Sequence, residues 1–132
     1  LSQTRQGVIS QLFRCSYLRQ NFHLYGTGDP ERDYLLANDL CQLITEIERF
    51  PFGEQIYNVG TGVGTKLSKL IKQVDSITGN VTNVTNIPSI SSGNLSAVLD
   101  CEKLRTVFSE KCFSALPNGL NIMKKYFEEE MC

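Results

Sequence analysis

Two glycine clusters punctuate this chain, Gly26-Thr27-Gly28-Asp29-Pro30 and Gly60-Thr61-Gly62-Val63-Gly64. Glycine and proline at that density end regular structure, so the elements on either side must be short. Ahead of the first cluster, Val8, Ile9, Leu12, Phe13, Cys15 and Tyr17 recur at helical intervals, which predicts a helix from Gln6 to about Gln20 with Asn21 as its stop. Phe22 to Tyr25 then reads as a strand. A second helix is expected to open at Asn38 or Asp39, with Gln42 completing a capping box, Leu40, Leu43, Ile44 and Ile47 on its apolar face, and Pro51 and Gly53 at its end. Gln55 to Val59 reads as a strand that runs into the second cluster. Thr65 is the expected N-cap of a third helix, carrying Leu67, Leu70, Ile71, Val74 and Ile77 on one face and stopped by Gly79.

The β-branched stretch that follows, through Ile87, predicts an edge strand, and Pro88 to Asn94 a loop. Leu95 to Leu99 is a short strand, and Asp100 caps a helix bearing Leu104 and Val107. A last helix from about Asn118 turns Leu120, Met123, Tyr126 and Phe127 inward. Strands alternating with helices give an α/β class, here a mixed α+β arrangement. At 132 residues the chain fits one compact unit with one modest core.

Composition removes several kinds of function. Thirteen Lys and Arg against 14 Asp and Glu leave a net charge of -1, with the basic residues scattered rather than gathered in a stripe, so nucleic acid is not an expected partner. The longest apolar runs are far too short to span a bilayer, and no membrane partner is expected. The 5 cysteines, Cys15, Cys41, Cys101, Cys112 and Cys132, form no C-x-x-C pair and lie far from the single His23, so no metal site is expected. An odd count points to free thiols in a reducing, cytoplasmic compartment. Sequons at Asn80, Asn83 and Asn94 would matter only in a secreted protein.

Three places could carry chemistry. The Gly60 to Gly64 loop, between an expected strand and helix, could bring backbone amides up to a phosphate. Its spacing is G-x-G-x-G rather than G-x-G-x-x-G, however, and Val84 stands where an acidic residue would close a dinucleotide site, so a structural turn is the simpler reading. Arg32 follows a Gly/Asp/Pro turn, where a guanidinium can fork onto two phosphate oxygens or pair with Glu31 or Asp33 at the surface. His23 and Tyr25 share a strand with no acid or nucleophile beside them. From the residues alone, Tyr25 reads as a core aromatic and His23 as an exposed polar residue on a strand.

Taken in order, Leu24-Tyr25-Gly26-Thr27-Gly28, Arg32-Asp33-Tyr34, Asn38-Asp39-Leu40 and Tyr57-Asn58-Val59-Gly60-Thr61-Gly62 resemble the C-terminal part of the extended short-chain dehydrogenase/reductase family. Its members include NAD-dependent nucleotide-sugar epimerases, dehydratases and 4-ketoreductases. The resemblance runs from about Gln6 to Phe127 and implies a substrate-binding lobe with the late elements of a Rossmann lobe, the N-terminal Rossmann core being absent. Residues 1–132 then form a single C-terminal substrate-binding region, with Tyr34 to about Gly60 packing on the missing cofactor domain. It also implies substrate-binding roles: Arg32 on the diphosphate, His23 and Tyr25 at the base of a UDP-, dTDP-, CDP- or GDP-linked sugar.

Two departures limit what carries over. The second phosphate-binding arginine of the family has no counterpart, since Ser91-Ser92-Gly93-Asn94 stands at that place. The family's Y-x-x-x-K pair is also lacking: the residues four beyond the tyrosines are Asn21, Asp29, Asn38, Thr61 and Glu130. NAD or NADP is therefore expected in a longer parent protein and not on these residues alone, which carry no catalytic residue. Apolar surface left by the missing domain is expected to drive homo-oligomer formation.

Overall fold

The computed structural model describes residues 7–26, 28–46, 56–88, 95–108 and 113–131. Helix α1 (Val8–Leu18) leads into strand β1 (Phe22–Tyr25), followed by β2 (Glu31–Asp33) and α2 (Ala37–Glu46). Then come β3 (Gly64–Lys66), α3 (Leu67–Thr78), β4 (Val84–Ile87), β5 (Ser96–Ala97), α4 (Glu102–Val107) and α5 (Leu116–Met131). The α/β class expected from the alternation holds.

Helices α1, α3 and α5 pack on one another, and β1 closes one end of the core they make. Leu12 and Phe13 of α1, Phe22 of β1, Leu70 and Val74 of α3 and Leu120 of α5 are buried there. The ring of Phe13 lies 5.4 Å from that of Phe127 and 6.4 Å from that of Tyr17, so an aromatic stack joins the first helix to the last. One buried polar link crosses this core. Thr78 donates its hydroxyl to Val74 O at 2.9 Å, which leaves Ser16 to donate to Thr78 at 2.7 Å. A smaller cluster joins Leu43 of α2 to Leu104 of α4 and Phe108, with Tyr57 and Val59 packed against it.

The strands form two separate sheets. β1 and β4 pair in parallel, Phe22 opposite Val84 and Tyr25 opposite Ile87. β2 is the middle of the other sheet, antiparallel to β3 and parallel to β5, so that Arg32 faces Thr65 on one side and Ala97 on the other.

Several expectations are corrected by contacts distant in sequence. Thr65 is not a helix cap; it is a buried residue of β3, and the amide of Ser68 in the first turn of α3 donates to Asp29 at 2.8 Å instead. Asp39 does not cap α2 either. It lies inside the first turn, and its carboxylate accepts from the amide of Ser114 at 2.6 Å and from its hydroxyl at 3.1 Å. Residues 56–59 take no regular structure and join no sheet; Lys103 and Asn58 tie them to the α4 region, Lys103 donating to Ile56 O at 2.9 Å and Asn58 to Asp100 O at 3.0 Å. Tyr126 is 57% exposed on α5 and does not turn inward. The first helix stops at Arg19, which takes a left-handed conformation (φ 55°), rather than at Asn21.

Other expectations hold. Gly79 ends α3 at φ 72°. The N-cap of α4 is Cys101 rather than Asp100, although the Glu102 amide donates to the Asp100 carboxylate at 2.9 Å. Cys15, Cys41 and Cys101 are free thiols; Cys112 and Cys132 lie outside the described residues, as do Ile47, Pro51, Gly53 and Ser91 to Asn94. No described helix is long and apolar enough to cross a membrane.

Phe13 is fully buried at the meeting point of α1 and α5. Phe13→Ala is expected to cost about 3–5 kcal/mol of stability through the cavity it leaves. Urea unfolding of the two chains measures this, and a loss below about 1 kcal/mol would mean that the helices close over the gap.

Candidate functional site

The second glycine cluster folds around a carboxylate. Asp33, at the end of β2, accepts from the amide of Thr61 at 3.0 Å, from the amide of Gly62 at 2.9 Å and from the hydroxyl of Thr61. From the other side, Arg105 of α4 donates to Thr61 O at 3.0 Å. Glycine is required by this geometry. A Cβ at Gly60 would meet the Asp33 carboxylate at 2.6 Å, and one at Gly62, where φ is 71°, would meet the Arg105 guanidinium at 2.5 Å. Burial pushes the Asp33 carboxyl up, but the bonds from Thr61, Gly62 and Leu99 outweigh it and hold the group below the usual carboxylate range.

The amides that a phosphate would need are thus engaged by a negative charge of the chain itself. The loop is a turn, as its spacing suggested, built around the Asp33 carboxylate. Among the described residues there is no cluster of His, Cys, Asp and Glu that could hold a metal ion.

Arg32 sits in the middle of the three-stranded sheet. Successive side chains of a strand point to opposite faces, which separates Arg32 from Glu31 and Asp33. Glu31 accepts from the Ser96 hydroxyl at 3.0 Å, and Asp33 is committed to the loop. The Arg32 guanidinium instead donates to its neighbour's carbonyl, Glu31 O, at 2.8 Å, and to Leu95 O at 3.4 Å. Only one of its terminal nitrogens makes these bonds. The ring of Tyr34 is pushed up in pKa by burial and drawn back by Arg32.

His23 and Tyr25 share the outward face of β1, whereas Phe22 and Leu24 face the core. Tyr25 is 66% exposed, so it is not a core aromatic. Among the described residues no hydrogen bond or ring contact joins either of them to Arg32, which belongs to the other sheet. The three residues singled out in the sequence therefore occupy two surfaces.

One feature had no sequence signal. A cavity of about 590 Å3 opens beside Tyr34 and the Gly60 loop and extends along α3 past Lys69 and Gln73 toward Phe108 and Leu116. Lys69 and Gln73 lie at the polar margin of the α3 pattern, where a solvent face and a cavity wall read alike.

No protein-family model matches the chain, and no curated protein does. Solved structures do. The fold is similar to that of UDP-glucose 4-epimerase from Thermotoga maritima, solved with UDP-glucose, at a TM-score of 0.87 and 23% identity over 98% of this chain and 42% of that one. It is similar at 0.86 and 15% identity to UDP-N-acetylglucosamine 4-epimerase from Methanobrevibacter ruminantium, over 98% of this chain and 41% of that one. For dTDP-glucose 4,6-dehydratase from Bacillus anthracis, solved with NAD, the values are 0.81 and 18%, over 93% of this chain and 39% of that one. The chain thus has the fold of about two fifths of these enzymes, and the resemblance to nucleotide-sugar epimerases and dehydratases is borne out at the level of fold.

Asp33→Ala is expected to cost about 1–3 kcal/mol, since it strands the loop amides. The pH dependence follows the lowered pKa. An unfolded Asp titrates near about 3.9, so the contribution of Asp33 is complete above that pH and is lost as the pH falls through its lower folded value. Denaturation midpoints between pH about 5 and about 2 should therefore fall less steeply for Asp33→Asn than for the unmodified chain. Parallel profiles would remove Asp33 from the account.

Proposed function

We propose that the chain is the C-terminal portion of an NAD-dependent nucleotide-sugar epimerase, dehydratase or 4-ketoreductase, and that it supplies nucleotide-sugar binding. The observation that carries this reading is the match to about two fifths of such enzymes, combined with a parallel β1–β4 pair that no third strand joins among the described residues. Parallel strands are found in sheets with both faces covered, and a two-stranded sheet is marginal by itself. Here one face of β1 presents His23 and Tyr25 to solvent. A larger sheet, contributed by the remainder of the protein, would complete it.

In this reading Arg32 meets the diphosphate, with its second terminal nitrogen available, and Tyr25 and His23 border the base. Hydride chemistry belongs to NAD or NADP held by the remainder of the protein. The Gly60 to Gly64 loop does not fit that cofactor, because Asp33 already accepts from its Thr61 and Gly62 amides. The isolated chain is accordingly inactive in catalysis. Leu40, Ile44 and Ile56, respectively 36%, 55% and 88% exposed, are the apolar surface on which the missing domain or a second copy would settle. The compartment in keeping with this role and with the free thiols is the cytoplasm.

Calorimetry with UDP-glucose and dTDP-glucose tests the reading. The intact gene product is expected to bind one of them, and the 132-residue chain alone neither. Micromolar binding by the isolated chain would instead make it a stand-alone nucleotide-sugar-binding module. In the intact product Arg32→Ala is expected to weaken binding roughly 10- to 100-fold, the worth of charge-assisted hydrogen bonds to phosphate. Arg32→Lys should recover only part of that, since an ammonium cannot fork.

A further inference from the structure

Backbone carbonyls, not carboxylates, hold the Arg32 guanidinium. Its Nη1 donates to Glu31 O at 2.8 Å and to Leu95 O at 3.4 Å. The Leu95 carbonyl also accepts from the Glu31 amide at 2.6 Å, so one oxygen serves both the pairing of β2 with β5 and the guanidinium. A guanidinium that forks onto phosphate binds best when its plane is set beforehand, because ordering a long side chain on binding costs affinity. The place of Leu95 beside β2 therefore bears on what Arg32 can do.

That place is held by little backbone. β5 is only 2 residues long and lies at the edge of its sheet. Two side-chain contacts add to it. The Leu95 side chain rests on Gly28, where a Cβ would stand 2.8 Å from Leu95 Cδ2. On the face of the sheet opposite Arg32, the Ser96 hydroxyl donates to Glu31 Oε2 at 3.0 Å. Glu31 can lie there because β3 offers a glycine: a Cβ at Gly64 would meet Glu31 Cδ at 2.6 Å and Oε1 at 2.7 Å. One carboxylate thus fills the space left by β3 and is bonded to β5.

We propose that Glu31 is a positioning residue for Arg32: seated over Gly64 and bonded to Ser96, it fixes the edge strand whose Leu95 carbonyl orients the guanidinium. This rests on the reading that Arg32 meets a diphosphate. The sign of the effect separates positioning from charge. A carboxylate near a bound phosphate repels it, so by charge alone its removal would tighten binding. As a positioning residue, its removal weakens binding.

The test is calorimetric titration of the intact gene product with UDP-glucose and dTDP-glucose, with Glu31→Ala, Glu31→Gln and Ser96→Ala made in the unmodified protein and in Arg32→Ala. Glu31→Ala and Ser96→Ala are each expected to weaken the nucleotide sugar that binds by about 3- to 10-fold, the worth of one hydrogen bond. Glu31→Gln keeps an acceptor for Ser96 and drops the charge, so it should bind at least as tightly as the unmodified protein. In the Arg32→Ala background neither Glu31→Ala nor Ser96→Ala should cost anything further, since their effect runs through the guanidinium. Unchanged or tighter binding in Glu31→Ala, a loss in Glu31→Gln equal to that in Glu31→Ala, or the same loss in both backgrounds would overturn the positioning role. If neither nucleotide sugar binds, or if Arg32→Ala by itself leaves the affinity unchanged, the diphosphate reading fails and the positioning role with it.

Discussion

The carboxylate of Asp33 ties the last residue of β2 to the amides of Thr61 and Gly62, and the rest of the sheet region is arranged on that bond. It stands at a junction. β2 is the central strand, the loop it grips leads directly into β3 and α3, and the outer side of the same loop is held by Arg105 of α4. Two opposite charges thus clamp one turn, with glycines at the two points where a Cβ would strike either of them. A charge that accepts several hydrogen bonds while partly buried is costly to disturb, because each donor left behind is unsatisfied too.

That clamp also decides what the loop is for. A glycine-rich turn next to a helix is the usual place to seek bound phosphate, and the spacing alone left both readings open. With Asp33 inside it, an incoming phosphate would meet a like charge and find the amides taken. Arg32 stands in the middle of the three-stranded sheet, and Tyr25 and His23 on the outward face of β1, apart from the loop. Elsewhere the pattern repeats. Asp29 serves Ser68, Asp75 serves Thr82 at 2.7 Å, and Asp39 serves Ser114, so each of these acidic residues secures a junction between elements.

Much of the fold was legible because it is written in local periodicity. The faces of α1 and α3, the Gly79 stop and the strands at Phe22 and Val84 all follow from residues within one or two turns of each other. Misreadings share a different cause. Thr65 and Asp39 are good cap residues by type, yet β3 pairing claimed the first and Ser114 the second. Gln55 to Val59 has strand composition, but Lys103 and Asn58 secure its described part to the α4 region instead. Of the candidate site, the exposure of His23 and Tyr25 follows from strand alternation, whereas the partners of Arg32 do not.

From the sequence by itself come the α/β class, the helix faces and turns, and the ordered motifs that resemble nucleotide-sugar epimerases and dehydratases. Only the tertiary structure decided that the Gly60 loop is gripped by Asp33, that Asp29 caps α3, that Asp39 reaches Ser114 and that Gln73 borders a cavity. The pairs that settle these points lie 28, 39 and 75 residues apart in the chain. Periodicity reports on windows of about 11–18 residues, so contacts at such separations leave no local trace. They arise when packing brings a carboxylate and a set of amides together, and burial then makes the bond between them obligatory.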